Sequence, residues 1–178
     1  MRIISGTFKG RRFSPPASLK ARPTTDFAKE GLFNVLGNQL DIEDTQVLDL
    51  FAGSGSISFE FVSRGAAHTT SVEQNFQHIA FIKKVTQELG IKNISVLKAD
   101  VFRYIESCKQ SFDIIFADPP YALPQLAQLP DKVMQSDILQ KEGLFILEHG
   151  KSNTFTTHPN FVEIRHYGNV HFSFFKHS

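Results

Sequence analysis

Between residues 47 and 148 the sequence alternates short β-branched or aromatic runs with stretches whose apolar residues recur at helical spacing. This alternation restricts the chain to an α/β fold with a mostly parallel sheet, because parallel neighbours need a crossover and a helix supplies it. Strands are expected over 47–51, 69–73, 94–97, 112–117 and 143–148. Helices are expected over 56–63, 76–89 and 101–105, with a weaker helical pattern over about 125–139. The end of the chain breaks the rhythm. Residues 163–167 and 170–175 read as two strands joined at Gly168-Asn169, an antiparallel pair that closes a seven-stranded sheet with helices on both faces.

Ahead of this unit, residues 1–13 are anchored by Ile3, Ile4, Phe8 and Phe13 around Ser5-Gly6-Thr7 and Lys9-Gly10, which predicts a small N-terminal β-hairpin extension. Arg22-Pro23-Thr24-Thr25-Asp26 then offers several caps for a helix carrying Phe27, Leu32, Phe33, Val35 and Leu36. Gly31 costs that helix about 1 kcal/mol relative to Ala. At 178 residues the chain has the size of one domain with a full core, so residues 1–178 are expected to form a single unit with 1–24 as an arm. Cys108 is alone, which excludes a disulfide framework and fits a reducing cytoplasm. No apolar run approaches the roughly 20 residues of a membrane span, and the start lacks the apolar block of a signal peptide. A cytoplasmic protein bound to neither membrane nor metal is expected.

The net charge of +1 conceals an asymmetry. Residues 1–30 hold seven basic and two acidic side chains, whereas the remainder holds twelve basic and sixteen acidic. A basic arm on an acidic body is the pattern of a segment that touches a polyanion, although a solvated basic loop reads the same way.

Leu48-Asp49-Leu50-Phe51-Ala52-Gly53-Ser54-Gly55-Ser56 passes from strand to helix through small residues. Backbone N–H groups in such a loop, and the helix N-terminus after it, suit a bound ligand. A dinucleotide fingerprint would place a third Gly or Ala where Ser58 stands, and Asp49 would repel a pyrophosphate while attracting an ammonium or sulfonium. S-adenosylmethionine is therefore favoured over NAD. Glu73 ends the second strand, where an acid can accept ribose hydroxyls, and Asp100, followed by Val101, ends the third, where it can accept from an adenine amine. Each acid alone could be a helix cap or a solvated strand end. Three on consecutive strand ends point to a ligand crevice.

The fourth strand ends in Asp118-Pro119-Pro120-Tyr121: a carboxylate, a carbonyl on a rigid segment and an aromatic ring, a set suited to a flat amino-bearing group. Here the chain resembles the S-adenosylmethionine-dependent amino-methyltransferases. More narrowly it is similar to the RsmD-type 16S ribosomal RNA guanine-N2 methyltransferases, through Arg2-Ile3-Ile4-Ser5-Gly6 with Lys9-Gly10-Arg11, Arg22-Pro23-Thr24-Thr25-Asp26, Ser63-Arg64-Gly65-Ala66 and Tyr167-Gly168. The resemblance implies a Rossmann-like class I methyltransferase fold with the cofactor beside Gly53 and Gly55, and a guanine of small-subunit rRNA, or of the assembling subunit, as substrate. By position, Asp118 and the Pro119 carbonyl would accept from the exocyclic amine and Tyr121 would stack on the base. Thr25 and Asp26 resemble a segment that caps the amino-acid end of the cofactor, and they are also simply good helix caps. Lys9, Arg11, Arg12 and Arg22 form a candidate phosphate-binding arm, and a monomer is expected. The histidines show no metal spacing and read as surface or strand residues.

Three other readings compete. An adenine-N6 or cytosine-N4 methyltransferase on DNA would share Asp118–Tyr121, but the chain has no room for a DNA-recognition domain. A non-catalytic RNA-binding assembly factor would be expected to lose Asp118, Tyr121 or the glycine loop, and none is lost. A dehydrogenase is opposed by Ser58 and Asp49.

Overall fold

A computed structural model describes residues 1–16 and 24–177. Seven strands, β1 (Gln46–Leu50), β2 (His68–Glu73), β3 (Ile94–Lys98), β4 (Phe112–Ala117), β5 (Leu139–His149), β6 (Phe161–Tyr167) and β7 (Val170–Phe175), form one sheet in the order β3-β2-β1-β4-β5-β7-β6. Strands β1 to β5 pair in parallel, and β7 runs antiparallel to both β5 and β6. Among the described residues five α-helices accompany them: α1 (Asp26–Gln39), α2 (Ser56–Ser63), α3 (Phe76–Leu89), α4 (Val101–Ser107) and α5 (Leu129–Met134).

Alternation along the central strands decides the two faces. Leu48 and Leu50 of β1 pack with Ile115, Phe145, Leu147 and the inner residues of α4 and α5. Val47 faces the other way with Ile114, Phe116 and Ile146, against Leu32, Phe33 and Leu36 of α1 and Phe61 of α2. A third cluster joins Phe59 and Val62 of α2 to Phe81, Ile82 and Val85 of α3, and Ile3 of the arm inserts into it. Thus α1, α2 and α3 cover one face and α4 and α5 the other. Among the described residues no helix is long and apolar enough to cross a membrane.

The region after Asp118 departs from expectation. The helical stretch expected over about 125–139 is shorter, a 3-10 turn, Leu126–Gln128, running directly into α5, and β5 begins at Leu139 rather than at 143. Phe112 pairs with Leu139 and Ile114 with Leu144, so β5 bulges between them. The bulge inserts Gln140, Lys141 and Glu142, polar residues that erase the strand's two-residue period.

The arm is a looser hairpin than the sequence suggests, with one antiparallel bridge between Arg2 and Arg12 supported by Ile3 N–H to the Arg11 carbonyl at 3.0 Å. It is held on α2 by a buried charge network. The Glu60 carboxylate accepts from the N–H groups of Ile4 (2.8 Å) and Ser5 (3.0 Å) and from Arg64 Nε (2.9 Å). Lys29 of α1, buried with Glu60, lies 3.8 Å from that carboxylate and donates to the Arg2 carbonyl and to Ser56 Oγ. Burial lowers the Lys29 pKa and Glu60 opposes the shift.

Gly31 is explained by packing. A Cβ there would lie 2.1 Å from Cε1 of Tyr167, so the missing side chain lets β6 close on α1. Helix propensity alone predicts that Gly31→Ala stabilises by about 1 kcal/mol. The overlap with Tyr167 instead predicts a loss of about 2 kcal/mol and a Tm lower by roughly 5 °C, and thermal denaturation reads the sign directly.

Candidate active site

Parallel register brings the carboxyl ends of β3, β2, β1, β4 and β5 to one edge, and a cavity of about 810 Å³ opens there. It is lined by Thr25, Asp49, Phe51, Ala52, Gly53, Ser54, Glu73, Asp100, Val101 and the whole of Asp118-Pro119-Pro120-Tyr121. Those expected site residues therefore meet in space. Asp26 and Gly55 are not on the wall. Asp26 turns outward to Arg2, 3.3 Å away, and Thr25 alone caps α1 by accepting from Ala28 N–H at 3.2 Å.

The loop after β1 is built from left-handed residues: Phe51 at φ 62°, Gly53 at 54° and Gly55 at 75°. A phenylalanine in that region is strained, which marks a position that its surroundings impose. Glu73 organises the loop from β2. Its carboxylate accepts from Gly53 N–H (2.8 Å), Gln74 N–H (2.8 Å) and Asn75 N–H (2.7 Å), and His78 Nδ1 approaches within 3.3 Å. The Gly53 N–H thus points to Glu73 rather than outward to a ligand. Asp100 caps α4 through Arg103 N–H at 3.1 Å while remaining on the cavity wall.

Asp49 is almost fully buried and accepts from both the N–H (3.1 Å) and the hydroxyl of Ser58. Ser58 Oγ in turn lies 2.7 Å from Ser71 Oγ. Ser58, which breaks the dinucleotide pattern, is thus the partner of the acid. Burial pushes the Asp49 pKa up to about 7, Ser58 opposes that shift and Glu73 adds to it. Asp118 is raised well above the usual carboxylate range, first by burial and then by Glu148 and Asp49.

Glu148 is the site residue that the sequence reading passes over. It is the penultimate residue of β5, with 3% exposure, its Oε2 accepting from Thr24 Oγ1 at 2.7 Å and its Oε1 from the Tyr121 hydroxyl at 3.1 Å. Burial raises its pKa against those two bonds. The signal was available: Glu148 is an acid at a strand's carboxyl end, as Asp49, Glu73, Asp100 and Asp118 are. The β6–β7 turn, Tyr167-Gly168-Asn169-Val170, also lines the cavity, and no pattern in the sequence brings it there.

Asp118, which feels the charge of both Glu148 and Asp49 across this cavity, is relieved by a cation or by donors such as an amine. Beside the cavity, Ser54 Oγ donates to the Met1 sulfur at 3.8 Å, so the arm begins at the rim. Lys9, Arg11 and Arg12 are exposed on it, and Arg22 lies outside the described residues. His149 is buried rather than superficial and bonds Ser173 at 2.8 Å, and His166 stacks on His171 at 4.1 Å. Among the described residues no cluster of His, Cys, Asp or Glu is arranged to hold a metal ion.

A family model described as Conserved hypothetical protein 95 matches residues 1–176. The chain is 34% identical over 161 residues to a Ribosomal RNA small subunit methyltransferase D of Buchnera aphidicola subsp. Baizongia pistaciae, covering 90% of this chain and 82% of the relative. It is 36% identical over 167 residues to the protein of the same name from Escherichia coli K12, covering 89% and 79%. Among solved structures, a putative methyltransferase yhhF from Escherichia coli superposes with a TM-score of 0.86 at 28% identity, over 100% of this chain and 99% of that one.

Proposed function

The chain belongs to the RsmD family, whose model is the Conserved hypothetical protein 95 description, and on that premise we propose that it methylates the exocyclic N2 amine of a guanine in 16S rRNA, with S-adenosylmethionine as donor. Residues 1–178 act as one catalytic unit, with 1–24 as its RNA-facing arm. The observation that carries this reading is the half-buried Asp118 carboxylate, followed by Pro119-Pro120-Tyr121, opening on the same cavity as Asp49, Glu73 and Asp100.

The residues present fit the cofactor. Asp49 supplies negative charge for a cationic group, Glu73 keeps at most one acceptor position for a ribose hydroxyl, and Asp100 with Val101 and Phe102 forms a wall for a flat ring. When bound, S-adenosylmethionine supplies an electrophilic methyl group on a cationic sulfur. In such a transfer the amine nitrogen would take the methyl group, the electron pair of the C–S bond would stay with the departing thioether, and Asp118 would be the nearest assigned acceptor for the proton that the amine gives up. Asp118 and the Pro119 carbonyl accept from the amine hydrogens, which favours the pyramidal nitrogen whose lone pair can attack. Tyr121 provides the stacking face for a base drawn out of its RNA loop, offsetting an unstacking cost of a few kcal/mol. Lys9, Arg11 and Arg12 hold phosphates.

The direct test incubates the protein with labelled S-adenosylmethionine and small subunits lacking the modification, then digests the RNA and identifies the nucleoside by mass spectrometry. N2-methylguanosine at one position is expected. N6-methyladenosine would transfer the reading to another base, and cofactor binding with no transfer would favour an assembly factor.

A further inference from the structure

Asp118-Pro119-Pro120-Tyr121 explains how an amine is held but does not choose among the bases that carry one. Guanine differs from adenine and cytosine at the ring nitrogen beside the amine. In guanine one of the two ring nitrogens that flank the amine, N1, carries a hydrogen, whereas the single flanking nitrogen of adenine (N1) or cytosine (N3) presents a lone pair. A site that selects guanine by its N1 edge therefore needs a second acceptor next to the one that holds the amine.

Glu148 stands in that place. Ala117 of β4 pairs with Leu147 of β5, where neighbouring strands lie about 4.8 Å apart, so the next residues, Asp118 just past β4 and Glu148 still within β5, follow directly on a paired position. Both carboxylates line the cavity, and Asp118 feels the charge of Glu148 more than that of any other acid. The Tyr121 hydroxyl is bonded to Glu148 at 3.1 Å, which tethers the ring beside that carboxylate. A base stacked on the ring has an edge at Glu148. A carboxylate offers about four acceptor positions, and the bonds from Thr24 and Tyr121 use two of them.

We infer that Glu148 is the base-selecting residue, its carboxylate accepting the N1–H of guanine while Asp118 accepts from the neighbouring N2 amine. This rests on the proposed function. Adenine or cytosine would place a lone pair against Glu148, and a buried acceptor facing an acceptor loses far more discrimination energy than a missing methylene.

The alternative role for Glu148 is a latch that only positions Tyr121 and Thr24. The two separate with a target base that keeps the 2-amine but lacks the N1 hydrogen. Once the methylated nucleotide has been mapped, subunits are reconstituted with rRNA bearing guanine or 2-aminopurine at that position, and kcat/KM is measured for each. The wild-type protein is expected to prefer guanine by about 100-fold. In Glu148→Gln, whose amide can donate to the bare N1, that preference should shrink by about tenfold or more, whatever the loss in absolute rate. Tyr121→Phe removes the hydroxyl tether and keeps the ring, and its preference should stay within about threefold of wild type.

Equal use of the two substrates by the wild type would overturn the inference, as would an unchanged preference in Glu148→Gln or an equal shift in Tyr121→Phe. Absence of N2-methylguanosine from the wild type on guanine would instead overturn the proposed function itself, and the two failures are read from different arms of the experiment.

Discussion

Asp118→Ala is expected to lower methyl transfer by about 10³-fold or more while changing S-adenosylmethionine affinity only a few-fold. The asymmetry follows from position. Asp118 closes β4 beside Glu148 and the Pro-Pro segment, on the side of the cavity assigned to the acceptor base, whereas Asp49, Glu73 and Asp100 end the three strands on the other side. Removing the carboxylate deletes the acceptor that shapes the amine. It also relieves Glu148 and Asp49 of a neighbouring negative charge, so the unliganded protein should not lose stability. Single-turnover kinetics at saturating cofactor, paired with calorimetric titration of the cofactor, separate the two effects. An active variant would sink the assigned role, and loss of cofactor binding in parallel with activity would move Asp118 into the cofactor site.

How far such a site can be read from sequence depends on whether each residue's role is local. The bounds 56–63, 76–89, 112–117 and 170–175 agree with α2, α3, β4 and β7 because each carries an unbroken period and a clear stop, Gly90 after α3 and Pro119 after β4. The start of β5 was illegible because a bulge replaces the period at 140–142 with polar residues, whereas the weaker helical pattern before it corresponds to the helical residues 126–134. Four strand-end acids were legible because a strand that stops at a carboxylate is a local pattern. Glu148 obeys the same pattern, but its meaning comes from Thr24 and Tyr121, which are 124 and 27 residues away. Asp26 shows the opposite limit. It follows a real cap, yet the choice between cavity and surface was made by Arg2 on the arm. Lys29 and Glu60 look like ordinary solvated helix charges in the sequence, and only the seating of the arm across α2 buries them.

Asp49→Asn should make the unliganded protein more stable and the enzyme worse. In the folded state the Asp49 pKa is raised to about 7 from the usual 3.8, so between those values the folded protein holds a proton that the unfolded chain has released. Its contribution to stability is therefore largest in acid and falls as pH rises from about 4 to 7, by up to a few kcal/mol. Above that window the native state carries a buried carboxylate whose charge is only partly offset by Ser58. Asparagine keeps an oxygen for both Ser58 donors without the charge. At pH 8 its Tm should rise by about 5 °C, and at pH 4, near the unfolded pKa, the difference should nearly vanish. A cation in the cavity favours the ionised acid, so wild-type affinity for S-adenosylmethionine should increase as pH passes through about 7, with proton release on binding. S-adenosylhomocysteine, whose sulfur is neutral, should show a weaker dependence. The variant should lose both the pH dependence and about 100-fold in affinity for S-adenosylmethionine. Thermal denaturation at the two pH values, with and without each ligand, tests every part of this. A lower Tm for Asp49→Asn at pH 8 would show that Ser58 stabilises the charge more than burial opposes it. Unchanged affinity would mean that the positive sulfur sits away from Asp49.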